Sequence, residues 1–281
     1  MRFEFISGLS WPGDPGKPND DAFCHAERIA AVFDGATSLG EPILPVDSDA
    51  AWIARKGAEG LIAHGGHPPR QALARAAADA ERSFLELRTR PPAEIYELPL
   101  ASMMLAGFDG DALQFLWFGD CAALVRKPGN RVAIVGDAMD KRKSEAERVA
   151  RLAARHKLDP AAGIEKPEYL AALRRARNLV NTTDGSWAFS PDARSAAFAK
   201  SMAIPAAAGT EILLCSDGFL ALASDYGRYD VDALLARAFD SGLKLLFEEL
   251  RVIERADPDG RTYPRFKTSD DATAVLLRLL A

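Results

Sequence analysis

The stretch Glu211–Phe219, EILLCSDGF, constrains the fold more than any other part of the chain. Ile212, Leu213, Leu214 and Cys215 form an unbroken apolar run. It reads as a strand covered on both faces, because a strand with one wet face alternates. The run stops at Ser216-Asp217-Gly218, a polar corner with a carboxylate at its tip. An acid placed where a buried strand ends is held rigidly and can still face a cleft. The same arrangement occurs earlier, where Arg28–Val32 lead through Phe33 to Asp34-Gly35. It returns in altered form where Asp270-Asp271 precede the apolar run Ala272–Leu277. Acids thus stand at three strand ends far apart in sequence. A cluster of carboxylates is costly unless a cation offsets it, and hard divalent cations take oxygen ligands. Asp109-Gly110, between Met103–Phe108 and Ala112–Phe118, shows the same dipeptide but reads as a plain hairpin turn.

The rest of the chain supplies strands and helices in a definite order. Phe3 and Phe5 alternate with polar neighbours and suggest an opening strand, and Trp11–Pro18, rich in proline and glycine, is a loop. Ser48 or Asp49 can cap a helix running to about His64 and closed by Gly65-Gly66. Pro69 suits the first turn of a second, from Arg70 to about Leu87, with Leu73, Ala76, Ala77, Ala80, Phe84 and Leu87 at helical spacing. A strand meander follows: Ala101–Phe108, Ala112–Phe118, Ala122–Val125 and Arg131–Val135. Ser144 with Glu147 forms a capping-box pattern for a helix to about His156. Another helix spans Pro167 to Leu179, where Arg174, Arg175 and Arg177 read as a solvated face or, alternatively, a patch for an acidic partner. Asn181–Ala207 is polar and reads as irregular. Val231–Ala256 is helical with a break near Asp240-Ser241-Gly242, Asp257–Lys267 is a polar loop, and Thr273–Leu280 is a closing strand.

Composition narrows the function classes. A net charge of −5 over 281 residues gives no bulk electrostatic support for nucleic-acid or membrane binding. No apolar stretch has the length of a membrane span, and the start MRFEFISG lacks the features of a secretion signal. Cys24, Cys121 and Cys215 each sit in or beside a predicted strand and fit no zinc spacing, so they read as small buried hydrophobes of a reducing cytosol. The expected location is cytoplasmic. GxSxG, P-loop and Cys-x5-Arg patterns are missing, which removes the readings that depend on them.

The blocks NDDAF, AVFDG, FGDC, LLCSDGF and SDDAT follow one another in that order. Together they resemble the metal-dependent protein phosphatases of type 2C, in the manner of a divergent bacterial-type member. The resemblance runs from about Asn19 to Leu279. It implies a single phosphatase domain over residues 1–281, of α+β class: a four-layer α-β-β-α sandwich of two antiparallel sheets flanked by helix pairs. It also implies Mg²⁺ or Mn²⁺ as cofactor, two ions, with a third in some members. Asp34, Asp217 and Asp270 would hold the first ion and serve as the catalytic acids. Asp34 and the Gly35 carbonyl would hold the second, with support from Asp20 or Asp21; the plainer alternative is that Asn19 and Asp20 only make turn bonds at the start of a strand. Asp120 takes the place of a family aspartate near the metals that is sometimes tied to a third. The implied reaction is hydrolysis of phosphomonoesters by a hydroxide bridging two metal ions, with phosphoserine or phosphothreonine in a protein or peptide as substrate.

The chain departs from that family in two places. Ala36-Thr37-Ser38 follows Asp34-Gly35, so a histidine that could protonate a leaving group is missing at position 36. Gly16 stands where many members carry a phosphate-gripping arginine. Lys17 could supply a point charge there, though without a bidentate fork. The alternatives are therefore a small-molecule phosphomonoesterase, or a weakly active regulatory or phospho-binding relative.

Overall fold

The computed structural model describes residues 1–139, 167–263, 265 and 267–281. The helix expected from Ser144 to about His156 lies outside the described residues. Among those described, ten strands form two antiparallel sheets of five. One sheet has the order β1 (Arg2–Trp11), β10 (Ala272–Leu280), β9 (Glu211–Cys215), β6 (Ala122–Arg126), β7 (Ala133–Val135). The other has the order β2 (Asp21–His25), β3 (Ile29–Gly35), β4 (Ala101–Asp109), β5 (Ala112–Phe118), β8 (Lys200–Pro205).

The side-chain period of two explains the layering. On β3, Ala30 and Val32 pack between the sheets, while Ala31 and Phe33 pack under the helices α1 (Asp49–Ala63) and α2 (Pro69–Leu87). On β9, Ile212 and Leu214 face the other sheet. Leu213 and Cys215 face a second helical layer made of α4 (Asp217–Ser224), α5 (Val231–Ser241) and α6 (Leu243–Ala256). Both faces of each central strand are thus covered, which is why an antiparallel sheet carries continuous apolar runs here. The result is the expected α-β-β-α sandwich.

Helix ends follow their signals. Ser48 caps α1 by accepting from Ala51 N, Pro69 opens α2, and Gly242 at φ +81° separates α5 from α6. The remaining described helix, α3 (Pro167–Arg177), ends two residues earlier than the sequence suggests. Asp109-Gly110 is the hairpin turn between β4 and β5.

Two elements differ from the sequence reading. Asn181–Ala207 is not wholly irregular: it contains a short 3-10 turn over Ala193–Phe198 and then β8, paired with β5 from Ala112↔Pro205 to Trp117↔Lys200. β8 is an edge strand, largely exposed and ended by Pro205, so it carries no buried alternation to betray it. The segment after Cys215 is the short helix α4, hidden because Phe219–Leu222 is buried all round.

Candidate metal centre

One end of the space between the sheets is polar, and strand parity puts the acids there. Asp34 continues the inter-sheet row of Ala30 and Val32 on β3. Asp21 lies directly opposite it in the β2–β3 register, on the side of β2 that carries Phe23 and away from Cys24. Ser102, also opposite Asp34, ends the inter-sheet row of Met104 and Ala106 on β4. Its hydroxyl donates to Asp120 Oδ1 at 2.6 Å, fixing the acid in the turn between β5 and β6. Asp217 is the first residue of α4, directly beyond β9.

Asp34, Asp120 and Asp217 converge: each offers a carboxylate oxygen, and these atoms lie within 4.8 Å of one another. All three are partly exposed, so the cluster opens to solvent. Asp270 stands beside this group, its Oδ1 2.8 Å from Lys267 Nζ. Asp21 is buried, and neither of its carboxylate oxygens has a hydrogen-bond partner. Ser216 Oγ accepts from Thr273 N, and Thr273 Oγ1 pairs with Ser10 Oγ. Asp20 receives a hydrogen bond from Ser48 Oγ. Gly35 closes β3, where a Cβ would stand 2.5 Å from Asp20 O and 2.6 Å from Ala50 O, so only glycine fits. Lys17 is on the surface, with its side chain 77% exposed and 3.9 Å from Asp14.

The electrostatics are those of crowded like charges. Burial raises the Asp34 carboxyl well above the usual carboxylate range, and Asp21, Asp217, Asp120 and Asp270 push it further the same way. Burial also raises Asp21 strongly; the nearby Thr273 and Ser216 hydroxyls oppose the shift and Asp271 and Asp270 add to it. For Asp20 burial again outweighs the stabilising Ser48 bond. Burial would lower the Lys267 ammonium, but Asp270, Asp34 and Asp217 raise it above its normal value. The three cysteines are free and buried, as their sequence setting suggests. Burial pushes the Cys24 and Cys215 thiols up to about 12, so neither is a nucleophile.

Several residues shape the site in ways the sequence did not indicate. Asp271 ties the loop before β2 to the start of β10: Oδ1 accepts from Gly13 N and Oδ2 from Asp20 N, both at 2.7 Å. The doubled acid in SDDAT was the available signal. Arg174 and Arg177 of α3 are not a solvated face. Arg174 Nε donates to Leu39 O at 2.7 Å with its guanidinium over the Tyr96 ring, and Arg177 Nη1 donates to Thr37 O at 2.6 Å. They hold the loop that follows Asp34-Gly35, and burial lowers Arg177 to about 10. Lys267, in a stretch that reads only as polar loop, contacts Asp270.

No family profile matches the chain, and no curated protein matches it in sequence. Solved structures are similar in fold. The serine/threonine phosphatase PstP/Ppp of Mycobacterium tuberculosis superposes with a TM-score of 0.57 at 15% identity, covering 100% of this chain and 100% of that one. The catalytic domain of PstP in complex with 2 manganese ions gives 0.55 at 16% identity, covering 100% and 99%. The PPM Ser-Thr phosphatase MsPP of Mycobacterium smegmatis, in complex with cacodylate, gives 0.55 at 16% identity, covering 98% and 97%. The chain therefore has the fold of the PPM serine/threonine phosphatases, along its whole length.

Proposed function

We propose that the chain is a metal-dependent phosphomonoesterase in a single domain spanning residues 1–281, with phosphoserine or phosphothreonine of a protein as its substrate. The observation that carries this reading is the convergence of Asp34, Asp120 and Asp217 at one end of a sandwich whose fold is that of serine/threonine phosphatases. The residues fit divalent ions. The donor set is all oxygen, which suits Mg²⁺ or Mn²⁺ over zinc. The carboxylates raise one another, and Asp21 keeps two buried oxygens without partners, a cost that a nearby cation relieves. Asp34, Asp217 and Asp270 would hold one ion, Asp34 and the Gly35 carbonyl a second with help from Asp20 or Asp21, and Asp120 would serve a third. The manganese of the PstP catalytic domain supports the same choice of ion.

Divalent ions bound there supply an acidified water as nucleophile and offset charge on the phosphoryl oxygens. The chain supplies the positioning. Ser102 orients Asp120, while Ser48 and the Asp271–Asp20 bond fix the loop that carries Asp20 and Asp21. The Arg174 and Arg177 bonds hold residues 37–39 beside the centre. Alanine at position 36 offers no proton to the leaving alkoxide, which takes it from water. The buried thiols suit a reducing compartment, so a cytoplasmic place for the enzyme is part of this reading.

The test is phosphate release from p-nitrophenyl phosphate and from phosphoserine and phosphothreonine peptides, with Mn²⁺ and with EDTA. Turnover should need the metal and vanish in Asp34→Asn and Asp217→Asn. Full activity in EDTA would refute the reading. Metal binding without cleavage of any ester would leave the regulatory alternative that Gly16 favours.

A further inference from the structure

A phosphomonoester dianion has to approach a site already crowded with negative charge. A protein cation at the opening of the cluster would favour that approach. The position of Gly16 cannot provide one, and Lys17 points to solvent next to Asp14.

Lys267 is such a cation. Its Nζ lies 2.8 Å from Asp270 Oδ1, and both side chains are 41% exposed, so the pair sits at the edge of the cluster facing water. Its charge acts on Asp20, and those of Asp270, Asp34 and Asp217 act on Lys267. Asp271, four residues on, is bonded to the Gly13 and Asp20 amides. The flexible four-carbon stem lets the ammonium move without moving the loop, and its three N–H donors suit phosphoryl oxygens.

Resting on the phosphatase reading, we infer that Lys267 is the phosphate-binding cation of this site. It pairs with Asp270, whose Oδ1 also accepts from Asp271 N, and it turns its donors to the phosphoryl oxygens of a bound phosphomonoester. The role is ground-state binding, so its loss falls on substrate affinity more than on the chemical step.

The experiment compares wild type, Lys267→Ala, Lys267→Arg, Lys17→Ala and Lys244→Ala, all loaded with Mn²⁺ and checked for folding by circular dichroism. Lys244 is a surface control on α6. Calorimetry with inorganic phosphate should show Lys267→Ala binding about tenfold or more weaker, with Lys267→Arg retaining most of the affinity and Lys244→Ala unchanged. With p-nitrophenyl phosphate, KM should rise by a similar factor and kcat should change less. Manganese affinity of Lys267→Ala should be equal or tighter, because a competitor for Asp270 is gone. Unchanged phosphate affinity and KM in Lys267→Ala, or the loss appearing in Lys17→Ala instead, would overturn the assignment. So would a tenfold loss of manganese affinity, which would mark damage to the metal centre. Phosphate binding that depends on Lys267 in a protein that cleaves no ester would overturn the phosphatase reading and leave the anion site standing.

Discussion

Replacing Asp34 by asparagine should stabilise the protein in EDTA and abolish its response to metal. Oxygens of Asp34, Asp120 and Asp217 lie within 4.8 Å of one another. At an effective dielectric of about 20, each fully ionised pair at that separation repels by about 3 kcal/mol. Protonation relieves part of this, since the crowded carboxyls are raised, so the net gain on removing one charge should be about 1–3 kcal/mol. For a chain of this size that corresponds to a Tm higher by roughly 2–10 °C. The amide keeps the shape of the carboxylate and drops its charge. Wild type should respond in the opposite sense to manganese, gaining about 2.7 kcal/mol when the ion is a hundredfold above its Kd. Differential scanning calorimetry of both proteins, with EDTA and with millimolar Mn²⁺, reads both effects. An Asp34→Asn protein less stable than wild type in EDTA, with an undiminished manganese shift, would refute the reasoning.

Three further outcomes follow from the same structure. The Asp34 and Asp21 carboxyls are raised in the folded chain, so their penalty is missing below the unfolded value of about 4 and grows as pH rises through the folded values. Tm in EDTA should therefore fall as pH rises above about 4, and the fall should shrink when Mn²⁺ is added; a Tm that climbs to neutral pH without metal would contradict this. Gly218→Ala would set a Cβ 2.0 Å from Asp271 O, forcing α4 and Asp217 away from the start of β10. It should cost about 1–3 kcal/mol in urea denaturation and weaken manganese binding, and wild-type behaviour in both would show the contact to be soft. Leu214→Ala empties a fully buried place between the sheets and should cost about 2–5 kcal/mol, with metal affinity kept if the sheets do not shift.

Much of this molecule is written locally. The runs ending at Asp34 and Asp217 disclose buried strands because burial on both faces removes the polar alternation, and Ser48, Pro69 and Gly242 mark helix ends through their own backbone chemistry. β8 escaped because an exposed edge strand needs only one paired side and no apolar pattern. α4 escaped because a short helix buried all round has no polar stripe to give it a period.

The centre divides the same way. Sequence alone determined that Asp34, Asp217 and Asp270 stand at strand ends, since a carboxylate that stops an apolar run must lie at the edge of a core. Only tertiary structure decided which oxygens meet. Asp120 joins Asp34 and Asp217 because Ser102, opposite Asp34 in the register, turns it inward, whereas Asp270 is drawn to Lys267. The fates of Lys17 and Lys267, and of Arg174 and Arg177, were likewise fixed in three dimensions. A long cationic side chain carries no local signal for its partner, and its reach is settled by what other segments bring within a few ångströms of its tip.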